Sequence, residues 1–246
     1  MYKRQNYTVE VVDRMGVDSF TPDAGVLLAK TKNEDQAPFA WVVDANPQDI
    51  GMTDYVLPDG TNVPITVGDY RQLSDALFHA GTNSGSEYEY VDTANRLHFY
   101  VLDVKRDPQG LLSYTVAIRS LDGAGPQQRG VRVLPTTGRA ASNDIATCNF
   151  PLLNTGRTTT PAGQHPEPVT QYVDGDVYRV SAKAENSGWT VSVPNALTTA
   201  KFGTQVNVPV LAKRTNGPLM SKITLTATSE SNPTKTTTAS CTVVGR

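Results

Sequence analysis

Apolar and polar residues alternate with a period of two through most of this chain, the pattern of strands that bury one face and expose the other. In the first half the runs are YTVEVV from Tyr7, GVLLAKT from Gly25, FAWVVDA from Phe39, EYEYVD from Glu87, RLHFYVLDV from Arg96 and LLSYTVAIRSL from Leu111. In the last of these, Tyr114, Val116 and Ile118 share one face, opposite Thr115, Ala117 and Arg119. Turn chemistry punctuates the runs: Asp23-Ala24-Gly25, Pro58-Asp59-Gly60 and Asp107-Pro108-Gln109-Gly110 each end on glycine, which a reversing backbone accommodates without a Cβ. Helical periodicity is confined to Tyr70 to His79, where Leu73, Leu77 and Phe78 have helical spacing ahead of Gly81.

From Gly123 to Ala146 the composition turns to Gly, Arg, Pro, Ser and Thr, as in a loop that runs into a linker. Alternation then resumes. Cys148, Phe150 and Leu152 share a face, as do Tyr178, Val180, Ala182 and Ala184, and then Trp189, Val191 and Val193. Val206, Val208 and Val210 follow, then Ile223, Leu225 and Ala227, and last Ala239, Cys241 and Val243. Six such strands in about a hundred residues predict an immunoglobulin-like sandwich, with Trp189 in its core on a central strand. The expected fold class is mainly β: a strand-rich region over residues 6–135, a linker over 136–146 and an Ig-like β-sandwich over 147–246.

Length supports two units, since 246 residues exceed the roughly 100–150 of a typical domain. Lysine and arginine number 22 against 24 acidic residues, for a net charge of -2, so there is no basic field to hold nucleic acid or an anionic membrane. No apolar run reaches the roughly 18–20 residues of a transmembrane helix, and neither end carries a signal-peptide or lipidation pattern. The two cysteines lie near the ends of the second region and point inward by parity with their neighbours. First and last strands often lie side by side in such sandwiches, so a Cys148–Cys241 disulfide is expected, with two buried thiols acting as small hydrophobes as the alternative.

Catalytic patterns are absent. His79, His98 and His165 are far apart, and none belongs to H-E-x-x-H or to any pair of zinc ligands one helical turn apart. His98 in LHFYV reads as a strand histidine with its polar tip hydrogen-bonded, His79 as the C-terminal cap of the short helix beside Asp75, and His165 as solvated in a Pro-rich loop. There is no G-x-S-x-G, and GTNSG at Gly81 to Gly85 lacks the lysine of a phosphate loop. Acidic side chains gather at Glu87, Glu89 and Asp92 and at Asp174 and Asp176. Calcium could use such oxygens, but EF-hand spacing is missing, and solvated strand faces and turns account for them. Asn6-Tyr7-Thr8 matches the N-glycosylation triplet, a match frequent by chance.

The segments PDAGVLLAKTK, WVVDANPQDI, DYVLPDG, GDYRQLSDALFHAGTNSGSEYEYVD and NRLHFYVLDV occur in an order that resembles the region downstream of the catalytic centre in secreted bacterial metallopeptidases of the immune-inhibitor-A family. In that family a Y-x-V-E strand is followed by a P-x-x-G-V-L-I turn and strand, and YTVEVV and TPDAGVLLAK hold those places here. The tail, GWTVSVPNALTTAKFGTQVNVPVLA and KITLTATSESNPTKTTTA, is similar to the Ig-like modules that end many secreted hydrolases. The resemblance implies a parent that cuts extracellular proteins with a zinc-bound water and a glutamate base. Without H-E-x-x-H, no catalytic residue and no metal ligand is carried onto this chain, and Met15 in DRMGVD lacks the preceding helix that would make it a methionine turn. The implied cofactor is zinc, held by the parent and not by this chain. The implied partners are the catalytic half of the same polypeptide and, through the Ig-like part, a cell-surface or polysaccharide ligand.

Met1 to Gln5, MYKRQ, match the translation of a transposon mosaic end used in sequencing libraries, with an initiating GTG codon read as Met. The expectation is that these five residues are adaptor and that the natural protein enters at about Asn6, inside a longer gene whose signal peptide lies upstream. The alternative is a free-standing adhesion or carbohydrate-binding protein whose Trp41, Trp189 and ten tyrosines offer sugar-stacking faces.

Overall fold

The computed structural model describes residues 5–19, 23–32, 40–46, 53–56, 59–64, 76–140, 145–159 and 174–245. Among these it is mainly β. The strands are β1 (Gln5–Val12), β2 (Gly25–Lys32), β3 (Ala40–Val43), β4 (Thr53–Val56), β5 (Asn62–Pro64), β6 (Glu89–Asp92), β7 (Leu97–Arg106), β8 (Leu112–Ser120) and β9 (Val131–Val133), followed by β10 (Thr136–Thr137), β11 (Arg139–Ala140), β12 (Ile145–Asn154), β13 (Gly175–Ala184), β14 (Trp189–Ser192), β15 (Leu197–Lys201), β16 (Gln205–Arg214), β17 (Met220–Ser229) and β18 (Thr236–Val244). A single 3₁₀ turn, Gly16–Asp18, is the only helical element among the described residues, and none is long and apolar enough to cross a membrane.

The chain divides into two compact units, Met1–Asp92 with His98–Ile118, and Thr93–Leu97 with Arg119–Arg246. In the first, β1, β2 and β3 form one antiparallel sheet, β4 and β5 a two-stranded ribbon, and β6, β7 and β8 a third sheet. Its core gathers Val26, Leu28, Leu77, Phe78, Phe99, Tyr100, Val101 and Leu102. β7 is buried over five consecutive residues from His98, covered on both faces, and only its C-terminal end reaches solvent.

The helix expected over Tyr70 to His79 is not borne out where it is described. Residues 70–75 lie outside the described residues, while Phe78 is extended and forms an antiparallel bridge with Val26, exchanging both backbone hydrogen bonds at 2.9 and 3.0 Å. Backbone pairing to β2 overrides the local spacing of Leu77 and Phe78. This bridge also explains Gly25, read above as a turn residue. Gly60 and Gly110 do take the positive φ of reversing turns, at 86° and 88°. Gly25 does not, and a Cβ placed on it would lie 2.8 Å from Leu77 Cβ and 3.1 Å from the Phe78 carbonyl oxygen. Gly25→Ala is therefore expected to destabilise the first unit by about 1–3 kcal/mol, the usual cost of overpacking. Urea unfolding checks this, and Gly60→Ser, with open space around its Cβ, serves as the strain-only control.

The second unit places two sheets around one core. One runs β10-β18-β17-β13-β15 and the other β11-β12-β16-β14, with β9 pairing β12. Parity works strand by strand. β12 buries Ala146, Cys148, Phe150, Leu152 and Asn154, and across from them β16 supplies Val210 opposite Cys148 and Val208 opposite Phe150. β17 and β18 align Ile223 with Cys241 and Leu225 with Ala239. Each fully buried large apolar side chain contributes roughly 1.5–3 kcal/mol. Tyr178 is completely buried yet satisfied, donating to the Gly130 carbonyl at 3.0 Å, and burial together with the Asp176 carboxylate pushes its phenol well above the usual tyrosine range, so it stays neutral.

Residues 136–146, read from composition as a linker, contain β10, paired in parallel with β18, and β11, paired with β12, so this stretch contributes to both sheets. β15 is a strand that the alternation does not mark, because its buried positions Leu197 and Ala200 are three apart. Trp189 is in the core, donating its indole N–H to the Pro218 carbonyl at 2.9 Å, but β14 is an edge strand and not a central one. Cys148 and Cys241 are joined Sγ to Sγ with Cα atoms 6.2 Å apart. They come from opposite sheets, so the bond spans the core instead of linking neighbouring strands.

Candidate functional site

Among the described residues of the first unit, two buried polar groups form on β1, β2, β6 and β7. Val26, Leu28 and Lys30 share a parity on β2, which turns the lysine toward the same buried side as the two apolar residues. Tyr7 on β1 is the direct cross-strand partner of Lys30. Tyr90 and Asp92 share a face of β6, and Asp92 is 3% exposed. Its Oδ2 accepts a hydrogen bond from the Tyr7 hydroxyl at 2.6 Å and pairs with Lys30 Nζ at 2.5 Å. The lysine nitrogen lies 5.9 Å from the Tyr7 ring centre and 5.3 Å from that of Tyr90, within cation–π range of both. Phe99 closes the aromatic wall, 4.8 Å from Tyr7 and 6.3 Å from Tyr90. Burial opposes the charge on Lys30, but its hydrogen bonds to Asp92 and Tyr90 outweigh this and hold the ammonium above the usual lysine range.

A second group lies on β6 and β7. His98, 6% exposed, stacks on Tyr100 with ring centres 3.9 Å apart. Its Nδ1 meets the Tyr100 hydroxyl at 2.8 Å and its Nε2 meets a Glu89 carboxylate oxygen at 2.9 Å. Both ring nitrogens are thus engaged by protein groups, which fits the reading of His98 as a strand histidine with its polar tip bonded. The adjoining apolar cleft is lined by Val9, Leu28, Phe78, Phe99, Val116 and Ile118 among others and has a volume of about 20 Å³, room for one water and not for a substrate. A nucleophile activated by a base is not among the described groups here.

The other residues singled out from sequence are accounted for structurally. His79 pairs with Asp23 at 3.3 Å; Asp75, its expected neighbour, is outside the described residues, as is His165. Met15 flanks the 3₁₀ turn with 46% of its surface exposed, which is not the setting of a methionine beneath a metal. The side chain of Trp41 lies outside the described residues. The carboxylates read as solvated divide. Asp174 pairs with Lys201 at 2.8 Å near the surface, whereas Asp176 has no exposed side-chain surface and accepts from Ser229 Oγ at 2.6 Å and Ser231 Oγ at 2.7 Å, with Arg129 at 3.5 Å. Burial of Asp92 and Asp176 corrects the reading of both as solvated. Lys30, the partner of Asp92, belongs with these groups too, and its parity with Val26 and Leu28 on β2 is the signal in the sequence that marks it.

These features define the class as a mainly β, disulfide-bonded chain of two units. A family model described as a middle domain matches residues 2–121, and a second, described as a Peptidase M6-like domain, matches residues 131–246. A protein of Arthroderma benhamiae described as "Putative secreted metallopeptidase" is 51% identical over 247 residues, an alignment that covers 97% of this chain and 36% of that protein. The chain therefore spans about a third of its relative. A solved structure, a FixG-related protein from Vibrio parahaemolyticus, is similar over 49% of this chain and 97% of its own at 12% identity, with a TM-score of 0.33, too low to assign a fold.

The peptidase description falls on the two-sheet unit, which carries a single histidine, His165. The relative's description implies a metal. The zinc-peptidase ligand pattern is missing from the sequence, since no H-E-x-x-H exists in the 246 residues; among the described residues Glu89 and His98 do offer potential ligand atoms, which meet each other at 2.9 Å. Calcium has no better support, because Asp92, Asp174 and Asp176 are taken by lysine, arginine and hydroxyl donors.

Proposed function

We propose that this chain is a non-catalytic portion of a secreted metal-dependent peptidase. The observation that carries the proposal is the alignment to a much longer protein described as a secreted metallopeptidase, over a shared length that contains no zinc-binding motif. On this reading the parent cleaves extracellular proteins, and its zinc, held in a catalytic half, supplies the activated water. The first unit buttresses that half. The second is an Ig-like accessory module that spaces the enzyme or docks it on a cell surface or polysaccharide, and its cross-core disulfide suits an oxidising, extracellular location.

The purified chain is expected to retain no zinc after gel filtration and to leave casein intact, while a longer polypeptide that adds the catalytic half cleaves it and stops on chelation. Metal analysis and a casein assay on both proteins decide the matter. One tightly held zinc together with chelator-sensitive hydrolysis by this chain alone would sink the proposal.

A further inference from the structure

The Lys30–Asp92 pair is placed for a reaction as well as for an ion pair, and we infer that the two side chains condense to an intramolecular amide that staples the two three-stranded sheets of the first unit. Three observations carry this. The first is proximity: Nζ and the Asp92 carboxylate are in direct contact, from strands in different sheets, so the reacting groups are held together without loss of further freedom. The second is the surroundings: Asp92 is 3% exposed and the Lys30 side chain 22%, and the pair is ringed by Tyr7, Tyr90 and Phe99. Such a shell keeps most bulk water from the pair and so opposes hydrolysis of the amide once it has formed, while the hydrogen bonds of Lys30 to Asp92 and Tyr90 favour the ammonium and make proton transfer to Oδ2 the uphill step. The third is the position of Tyr7, whose hydroxyl donates to the same Oδ2 that faces Nζ.

The chemistry balances without any co-reactant. One ammonium proton passes from Nζ to Oδ2, leaving a neutral amine beside a carboxylic acid. The amine lone pair attacks Cγ and the N–C bond forms. A second proton then moves from nitrogen to Oδ2, which departs as water while Tyr7 hydrogen-bonds to it, and the amide keeps the last N–H. Nothing is oxidised or reduced. The product gives the first unit what the second already has. Both cysteines, at 148 and 241, lie in the second unit and bridge its two sheets, whereas the first has no cysteine to do the same.

Mass spectrometry of the full chain tests this. The intact mass, after allowing for the disulfide, is expected to fall short of the sequence by one water, and tryptic digestion is expected to yield one branched peptide joining the segments of Lys30 and Asp92. Lys30→Arg restores the full mass, Asp92→Asn closes with loss of ammonia in place of water, and Tyr7→Phe lowers the linked fraction. A full intact mass with free Lys30 peptides overturns the inference. So does a water deficit that survives in Lys30→Arg, because it would then belong to succinimide formation at an Asp–Gly step such as Asp59-Gly60 or Asp122-Gly123.

Discussion

Alanine at both Cys148 and Cys241 is expected to destabilise the second unit by about 4–5 kcal/mol, the chain-entropy value for opening so long a loop. The two residues are 93 apart in sequence, and each is fully buried, so the loss of two sulfur atoms from the core adds to the entropic effect. Reduction, which keeps both sulfur atoms, is expected to forfeit the entropic part alone, and only once the unit unfolds, because Cys148 and Cys241 have no accessible surface for a reductant. Urea unfolding with Trp189 fluorescence as the reporter, in a Trp41→Phe background, measures the change. A shift below about 1 kcal/mol would mean that the sheets hold their unfolded ensemble compact without the bond.

Asp176→Ala is expected to cost about 3–5 kcal/mol, the range for removing one partner of a buried charged pair. Its carboxylate has no exposed surface and collects Ser229 Oγ, Ser231 Oγ, its neighbour's Val177 N–H and the Arg129 guanidinium. Truncation leaves the buried Ser229 hydroxyl without that acceptor and Arg129, 13% exposed, without its counter-charge. The control lies two residues away. Asp174→Ala breaks a surface pair with Lys201 and is expected to cost no more than about 1 kcal/mol. Equal effects for the two variants, read from urea midpoints, would show that the Asp176 hub is not what ties Arg129 and the end of β17 to the start of β13.

The contrast between Asp174 and Asp176 shows where reading along the chain runs out. In the text they stand in the same turn, DGD, with nothing to tell them apart. Only the arrival of Ser229, Ser231 and Arg129 from distant positions makes one a surface charge and the other a core group. Asp92 behaves the same way: it was grouped with Glu87 and Glu89 as a solvated face, and the lysine that neutralises it is on another strand. Local spacing misled at Leu77 and Phe78, where a helical pattern gave way to a bridge with Val26, and at Gly25, whose role is close packing and not reversal.

Strand content and inward faces were fixed by alternation, because a period of two places every second residue on one side whatever the strand pairs with. That is why Cys148, Phe150 and Leu152, and likewise Ile223, Leu225 and Ala227, are read correctly from the sequence alone. The missing H-E-x-x-H is equally a matter of sequence, since a zinc peptidase of that kind needs those residues at that spacing. The tertiary structure decided the rest: that β14 is an edge, that β10 and β11 join opposite sheets, that the cysteines face each other across the core, and that Lys30, Tyr7 and Asp92 converge. Each depends on which strand lies beside or above which, and long-range pairing leaves no periodic trace in the chain.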